Sequence, residues 1–134
     1  MNSSQNKSLT ENQVLIKTRI NKTESLTKVE NSIQNITTPQ ITINKSEDNL
    51  ISVSGDLSLL SNIKKRIKKN EMEELAYNIL NKNKSENTLT FFVNKQAAFN
   101  NTFHMIDENM SQLGDIEVII SCNNPDEIIE WIIQ

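Results

Sequence analysis

The sequence predicts a single compact α+β domain. Three observations carry that expectation. Apolar and polar residues alternate in several short runs. Apolar stripes of helical period separate those runs. Strands and helices mix without strict β–α–β alternation. The sheet is therefore expected to be mostly antiparallel or mixed, with helices packed on one face. Residues 12–134 are read as the domain. Residues 1–11, MNSSQNKSLTE, are polar and aperiodic and read as a disordered tail.

The elements follow in order. Gln13 to Ile20 suits a first strand, with Val14 and Ile16 on one face. Thr23 or Ser25 can cap the next helix, because a hydroxyl accepts a free backbone N–H at a helix start. Leu26, Val29, Ile33 and Ile36 form its apolar stripe, and Pro39 stops it. Ile41 and Ile43, then Ile51 and Val53, alternate on either side of the polar turn Asn44–Asn49. That is a hairpin pattern, ended by Gly55. Asp56 or Ser58 caps a helix that turns Leu60, Ile63 and Ile67 inward. Met72, Leu75, Ala76, Ile79 and Leu80 continue the stripe one residue out of phase, so a break is expected near Asn70. Leu89, Phe91 and Val93 form a strand, and alternation from Thr102 to Ile106 forms another. Asp107–Gln112 reads as a loop, and Ile116, Val118 and Ile120 as the last strand. In Asn124-Pro125-Asp126-Glu127, Asn caps, Pro takes the first helical position, and two carboxylates face the positive helix end. An apolar helix containing Trp131 follows.

Composition narrows the function. Only 4% of residues are aromatic, so the core is aliphatic. One Cys and one His cannot build a structural zinc site or an intrachain disulfide. No leader-like opening and no apolar run near the roughly 20 residues of a membrane span is seen, so a cytoplasmic protein is expected. The net charge of -3 hides an asymmetry. Residues 1–85 hold 13 basic against 9 acidic residues, whereas residues 86–134 hold Lys95 alone against 8 acidic ones. A uniformly basic nucleic-acid binder is excluded, but a local basic face is not. No Gly-rich phosphate loop, metal-ligand set or nucleophile–base pattern is visible, so neither an enzyme nor a cofactor is expected.

Lys64, Lys65, Arg66, Lys68 and Lys69 are the one dense basic cluster. A row of cations can hold phosphates by releasing counterions from RNA. It can equally be a solvated helix face, balanced by Glu71, Glu73 and Glu74, with Lys69 and Glu73 paired one turn apart. No aromatic residue interleaves with the cluster to stack bases. Lys95 and Gln96 follow a strand end, where they can touch a ligand or partner, or serve a strand bend. Trp131 reads as core or as a dimer anchor. His104, Cys122 and the carboxylates Asp107, Glu108, Asp115 and Glu117 read as structural or solvated.

Three segments carry a resemblance. They are Asn94-Lys95-Gln96-Ala97-Ala98-Phe99, then Leu113-Gly114-Asp115-Ile116-Glu117-Val118, then Pro125-Asp126-Glu127 leading to Trp131. With the basic helix from Ile63 to Lys69, they resemble an archaeal group, uncharacterised protein family 0201, historically labelled RNA-binding. The likeness runs from about Val14 to Trp131. The chain departs at Asn100-Asn101, where the family tends to have a small or apolar pair, and at Glu71 and Glu73 after the basic run. The resemblance implies a fold similar to the 5S-RNA-binding ribosomal protein, and homodimers. The expectation is thus a non-enzymatic cytoplasmic binding or scaffold domain, homodimeric, with its ligand unresolved. The alternative is an RNA-binding protein using the basic helix 63–69.

Overall fold

The computed structural model describes residues 12–38, 41–108 and 114–134. The expected tail over residues 1–11, the stop at Pro39 and most of the Asp107–Gln112 loop lie outside the described residues. Alternating apolar side chains make β1 (Gln13–Arg19), β3 (Leu50–Gly55), β4 (Thr88–Val93) and β6 (Ile116–Ser121). Two short pairs, β2 (Asn44–Lys45) and β5 (Met105–Ile106), sit at the sheet edges. The six strands run β2-β3-β1-β6-β4-β5, every pairing antiparallel. Register aligns the apolar phases: Ile16 lies opposite Val53 and Val118, and Phe91 opposite Val118. One sheet face is therefore buried in a continuous core, while Leu15, Lys17, Thr90, Phe92, Glu117 and Ile119 line the half-exposed other face.

The helices cover the buried face. α1 (Leu26–Ile36) starts where Ser25 accepts from the Lys28 amide at 3.1 Å. Its stripe begins at Val29, and Leu26, expected to head it, is 40% exposed at the first helical residue. Asp56 caps a 3-10 turn (Leu57–Leu60) that runs into α2 (Ser61–Lys69), which buries Ile63 and Ile67. α3 (Glu73–Lys82) buries Ala76, Ile79 and Leu80, but Leu75 falls at the edge of that arc and is exposed.

The expected break near Asn70 is present and has a local cause. Glu71 adopts a left-handed φ of 55°, its amide donates to the Lys68 carbonyl at 3.2 Å, and the Met72 amide donates to the Ile67 carbonyl at 2.8 Å. This pair of bonds closes a helix and turns the chain.

One element differs from expectation. Lys95 and Gln96 follow the end of β4 as expected, but Lys95–Phe99 forms a short helix, α4, that was not expected. Asn94 caps it, accepting from the Ala97 amide at 2.7 Å. Asn101, at a φ of 57°, ends it with the same closing bonds, Asn101 to Ala98 and Thr102 to Ala97. Asparagine tolerates this left-handed position, which gives Asn101 a structural reason to stand there. The chain then rejoins β4 only at Met105 and Ile106, so His104 lies outside the strand expected to hold it. α5 (Pro125–Ile133) starts at Asn124, which accepts from the Glu127 amide at 3.3 Å.

Candidate nucleic-acid interface

The cations of α2 divide into two groups. Arg66 donates to the carbonyls of Asn101 at 2.9 Å and Asn35 at 3.2 Å, and to the Asn101 side chain. Asn62 donates to the carbonyls of Asn35 and Thr37 at 3.0 and 3.1 Å. Both side chains thus satisfy carbonyls left open at the end of α1. Lys64 does the same for α5, donating to the carbonyls of Trp131 and, at 3.1 Å, of Gln134. Its ammonium also lies 5.2 Å from the centre of the Trp131 ring, within cation–π range.

Lys65, Lys68 and Lys69 form the second group. All three are exposed, and among the described residues none makes a hydrogen bond or ion pair. Their spacing puts them within about 100° of arc on the side of α2 away from Ile63 and Ile67. The Lys69–Glu73 pair expected from the sequence is not formed, because the helix ends at Lys69 and the left-handed turn at Glu71 separates the two residues. The counterbalance expected for the cluster is therefore missing at that position.

Two grooves flank these lysines and share Lys65. One, of about 390 Å³, is lined by Asn62, Lys65, Arg66, Lys69, Asn70, Asn101, Thr102 and Phe103. The other, of about 270 Å³, is lined by Ser61, Lys64, Lys65, Lys68, Trp131 and Gln134, and its walls are mainly apolar. The fold thus supplies the aromatic neighbour that the linear sequence around α2 lacks. Trp131, half-buried against the core, stands beside Lys64 and Lys68 although it lies more than 60 residues away in sequence.

Lys95 and Gln96 part company. Lys95 was expected at a ligand or partner contact, but its side chain is 0% exposed. Its ammonium donates to the Glu24 carboxylate at 3.0 Å and to the Arg19 carbonyl at 2.8 Å. Glu24, with a side chain 6% exposed, also accepts from the Asn21 amide and side chain. Burial pushes the Glu24 carboxyl up, but the Asn21 amide, Lys95 and the Asn21 side chain outweigh it and hold it below the ordinary range. The Lys95 amide in turn donates to Asp115 at 3.4 Å, so the two segments that carry the resemblance meet inside the protein. Gly114, just before Asp115, has a φ of 80°, a conformation that favours glycine. Gln96 stays exposed, in a separate groove with Thr23, Ser25, Lys28 and Phe99.

His104 is exposed, and Cys122 is buried with its thiol pushed up by desolvation. Among the described residues no three His, Cys, Asp or Glu side chains converge to hold a metal ion, and no helix is long and apolar enough to cross a membrane.

Comparisons with known proteins agree on one group. A family model described as RNA binding matches residues 13–122. A UPF0201 protein of Methanothermobacter thermautotrophicus is 32% identical over 119 residues, covering 89% of each chain. Another, of Pyrobaculum islandicum, is 30% identical over 115 residues, covering 82% of this chain and 80% of its own. Among solved structures, an uncharacterized UPF0201 protein matches with a TM-score of 0.72 at 28% identity, covering 84% of each chain. A UPF0201 protein from Methanococcus jannaschii has a TM-score of 0.75 over 91% of this chain and 99% of its own; at 24% identity it speaks for the fold alone.

Proposed function

This chain belongs to the archaeal UPF0201 family, and on that premise we propose that it binds RNA through the outer face of α2. The observation that carries the reading is the trio Lys65, Lys68 and Lys69. They are exposed, share one arc and have no protein partner among the described residues. Cations that a fold uses for its own carbonyls, as Lys64 and Arg66 are used, are poorly available to phosphate. Cations with no internal partner pair with phosphate and release its counterions. Lys64 and Arg66 then act as positioning residues, holding α2 against α5 and α1. The role is binding, not catalysis.

Fluorescence anisotropy with end-labelled RNA across a salt series tests this. Three phosphate contacts to single-stranded RNA give a log–log salt slope of about -2, or roughly 20-fold weaker binding between 50 and 200 mM salt. A Lys65/Lys68/Lys69→Ala variant should bind weakly and lose that slope. Equal affinity and equal slope in the variant would remove α2 from the interface. No binding by the wild type at low salt would end the RNA reading.

A further inference from the structure

We infer that the groove beside Trp131 is a subsite for one unpaired nucleobase, so that the RNA taken by α2 is single-stranded or looped rather than a continuous duplex. This inference rests on the RNA reading of α2 and names its substrate class.

The two grooves differ in their walls. The one at Asn62, Asn101 and Thr102 is lined mainly by polar side chains, with Phe103 as its apolar member. The one at Trp131 has mainly apolar walls, yet Lys65 and Lys68, which have no internal partner among the described residues, stand at its rim beside the internally bonded Lys64. Carbon walls inside a cationic rim match a nucleotide: a flat apolar ring attached to a phosphate. They match a bare phosphate chain less well, because an anion gains nothing from the apolar wall. They match an apolar peptide less well too, because its approach would desolvate ammonium groups without pairing them.

The aromatic wall is preformed. Lys64 bonds to the carbonyls of Trp131 and Gln134 and its ammonium lies over the indole, 5.2 Å from the ring centre, so the last turn of α5 and the indole are tied to α2 and a base packs on the part of the ring that the ammonium leaves uncovered. A rigid aromatic platform beside cations is how unpaired bases are held without sequence readout, since every base has a π face. At about 270 Å³ the groove has room for one base. Lys65 lines both grooves, so a strand leaving the base subsite passes directly to Lys69 and the polar groove.

Trp131 is the only tryptophan in the chain, so its emission reports on the subsite alone. The experiment titrates the full chain with three probes of equal length: an adenylate oligoribonucleotide, the same backbone without bases, and a blunt RNA duplex. Labelled-RNA anisotropy is read beside tryptophan emission. The expected result is saturable quenching by the adenylate strand, with binding about tenfold tighter than to the abasic strand, the size of one base–aromatic stack. Trp131→Leu should remove most of that tenfold difference and leave the salt slope unchanged. Because this variant can also loosen α5, the wild-type comparison of adenylate with abasic strand stands as an independent arm. Equal affinity for adenylate and abasic strands, or tighter binding of the duplex, without a change in emission, would overturn the base subsite while leaving RNA binding by α2 intact. Absence of binding by all three probes would overturn both readings.

Discussion

Replacing Lys95 with methionine tests whether this residue of the family-bearing segment works inside the protein. The substitution keeps an unbranched side chain one atom shorter and removes the ammonium. The side chain is 0% exposed, and its partner Glu24 is 6% exposed. Removing one member of a buried pair typically costs about 3–5 kcal/mol, because the remaining charge stays buried. Here the lower end applies, since the Asn21 amide and side chain still donate to Glu24 at 3.0 and 2.8 Å. The other Glu24 oxygen is buried without a partner among the described residues, so the carboxylate has no reserve of donors. A loss of about 3 kcal/mol follows, a large share of the 5–15 kcal/mol usual for a domain. It corresponds to a Tm lower by about 10 °C. Urea denaturation followed by circular dichroism measures it. Adding Glu24→Gln should recover at least about 1 kcal/mol, because the charge left stranded by the first change is gone. A single-variant loss under about 1 kcal/mol would refute the buried pair and return Lys95 to the list of surface contacts.

Two further predictions concern Glu24 and the left-handed turn at Glu71. Glu24 is held below its ordinary value of 4.5, so its contribution is present above that pH and is lost as pH falls through the lower folded value. Stability of the wild type measured from neutral pH downward should therefore fall more steeply in acid than that of Glu24→Gln; parallel curves would contradict this. Glu71→Gly should raise stability by about 1 kcal/mol, because the left-handed φ of 55° costs a side chain and not glycine. It also removes a negative charge two residues along the chain from Lys69, so RNA affinity should rise; lower stability would show that the turn depends on glutamate.

Much of the fold was legible because long periodic segments announce themselves. Alternation over Leu89–Val93 and Ile116–Ile120 marks the central strands, and the phase slip after Ile67 marks the break that Glu71 makes. α4 was hidden because five residues are too few to show a period. Its one signal was Asn94 three residues before Ala97, a cap that also reads as a strand end. The site was less legible for a different reason. The five cations of α2 look alike in sequence, and only tertiary contacts with Asn35, Asn101, Trp131 and Gln134 decide which are occupied. Lys95 was misplaced in the same way, since its partner Glu24 lies 71 residues upstream. Trp131 reaches α2 only after α5 has packed, so stacking beside the basic helix could not be read along the chain.

Binding of RNA on the outer face of α2 can be mapped residue by residue. Backbone amide chemical shifts recorded during titration with a single-stranded adenylate oligomer test it most directly, because they report position without substitution. Shifts should concentrate at Ser61–Asn70, Asn101–Phe103 and Trp131–Gln134, with the buried amides of Ile16 and Val118 unmoved. Shifts confined to the half-exposed sheet face around Leu15, Phe92 and Ile119, with α2 silent, would contradict it.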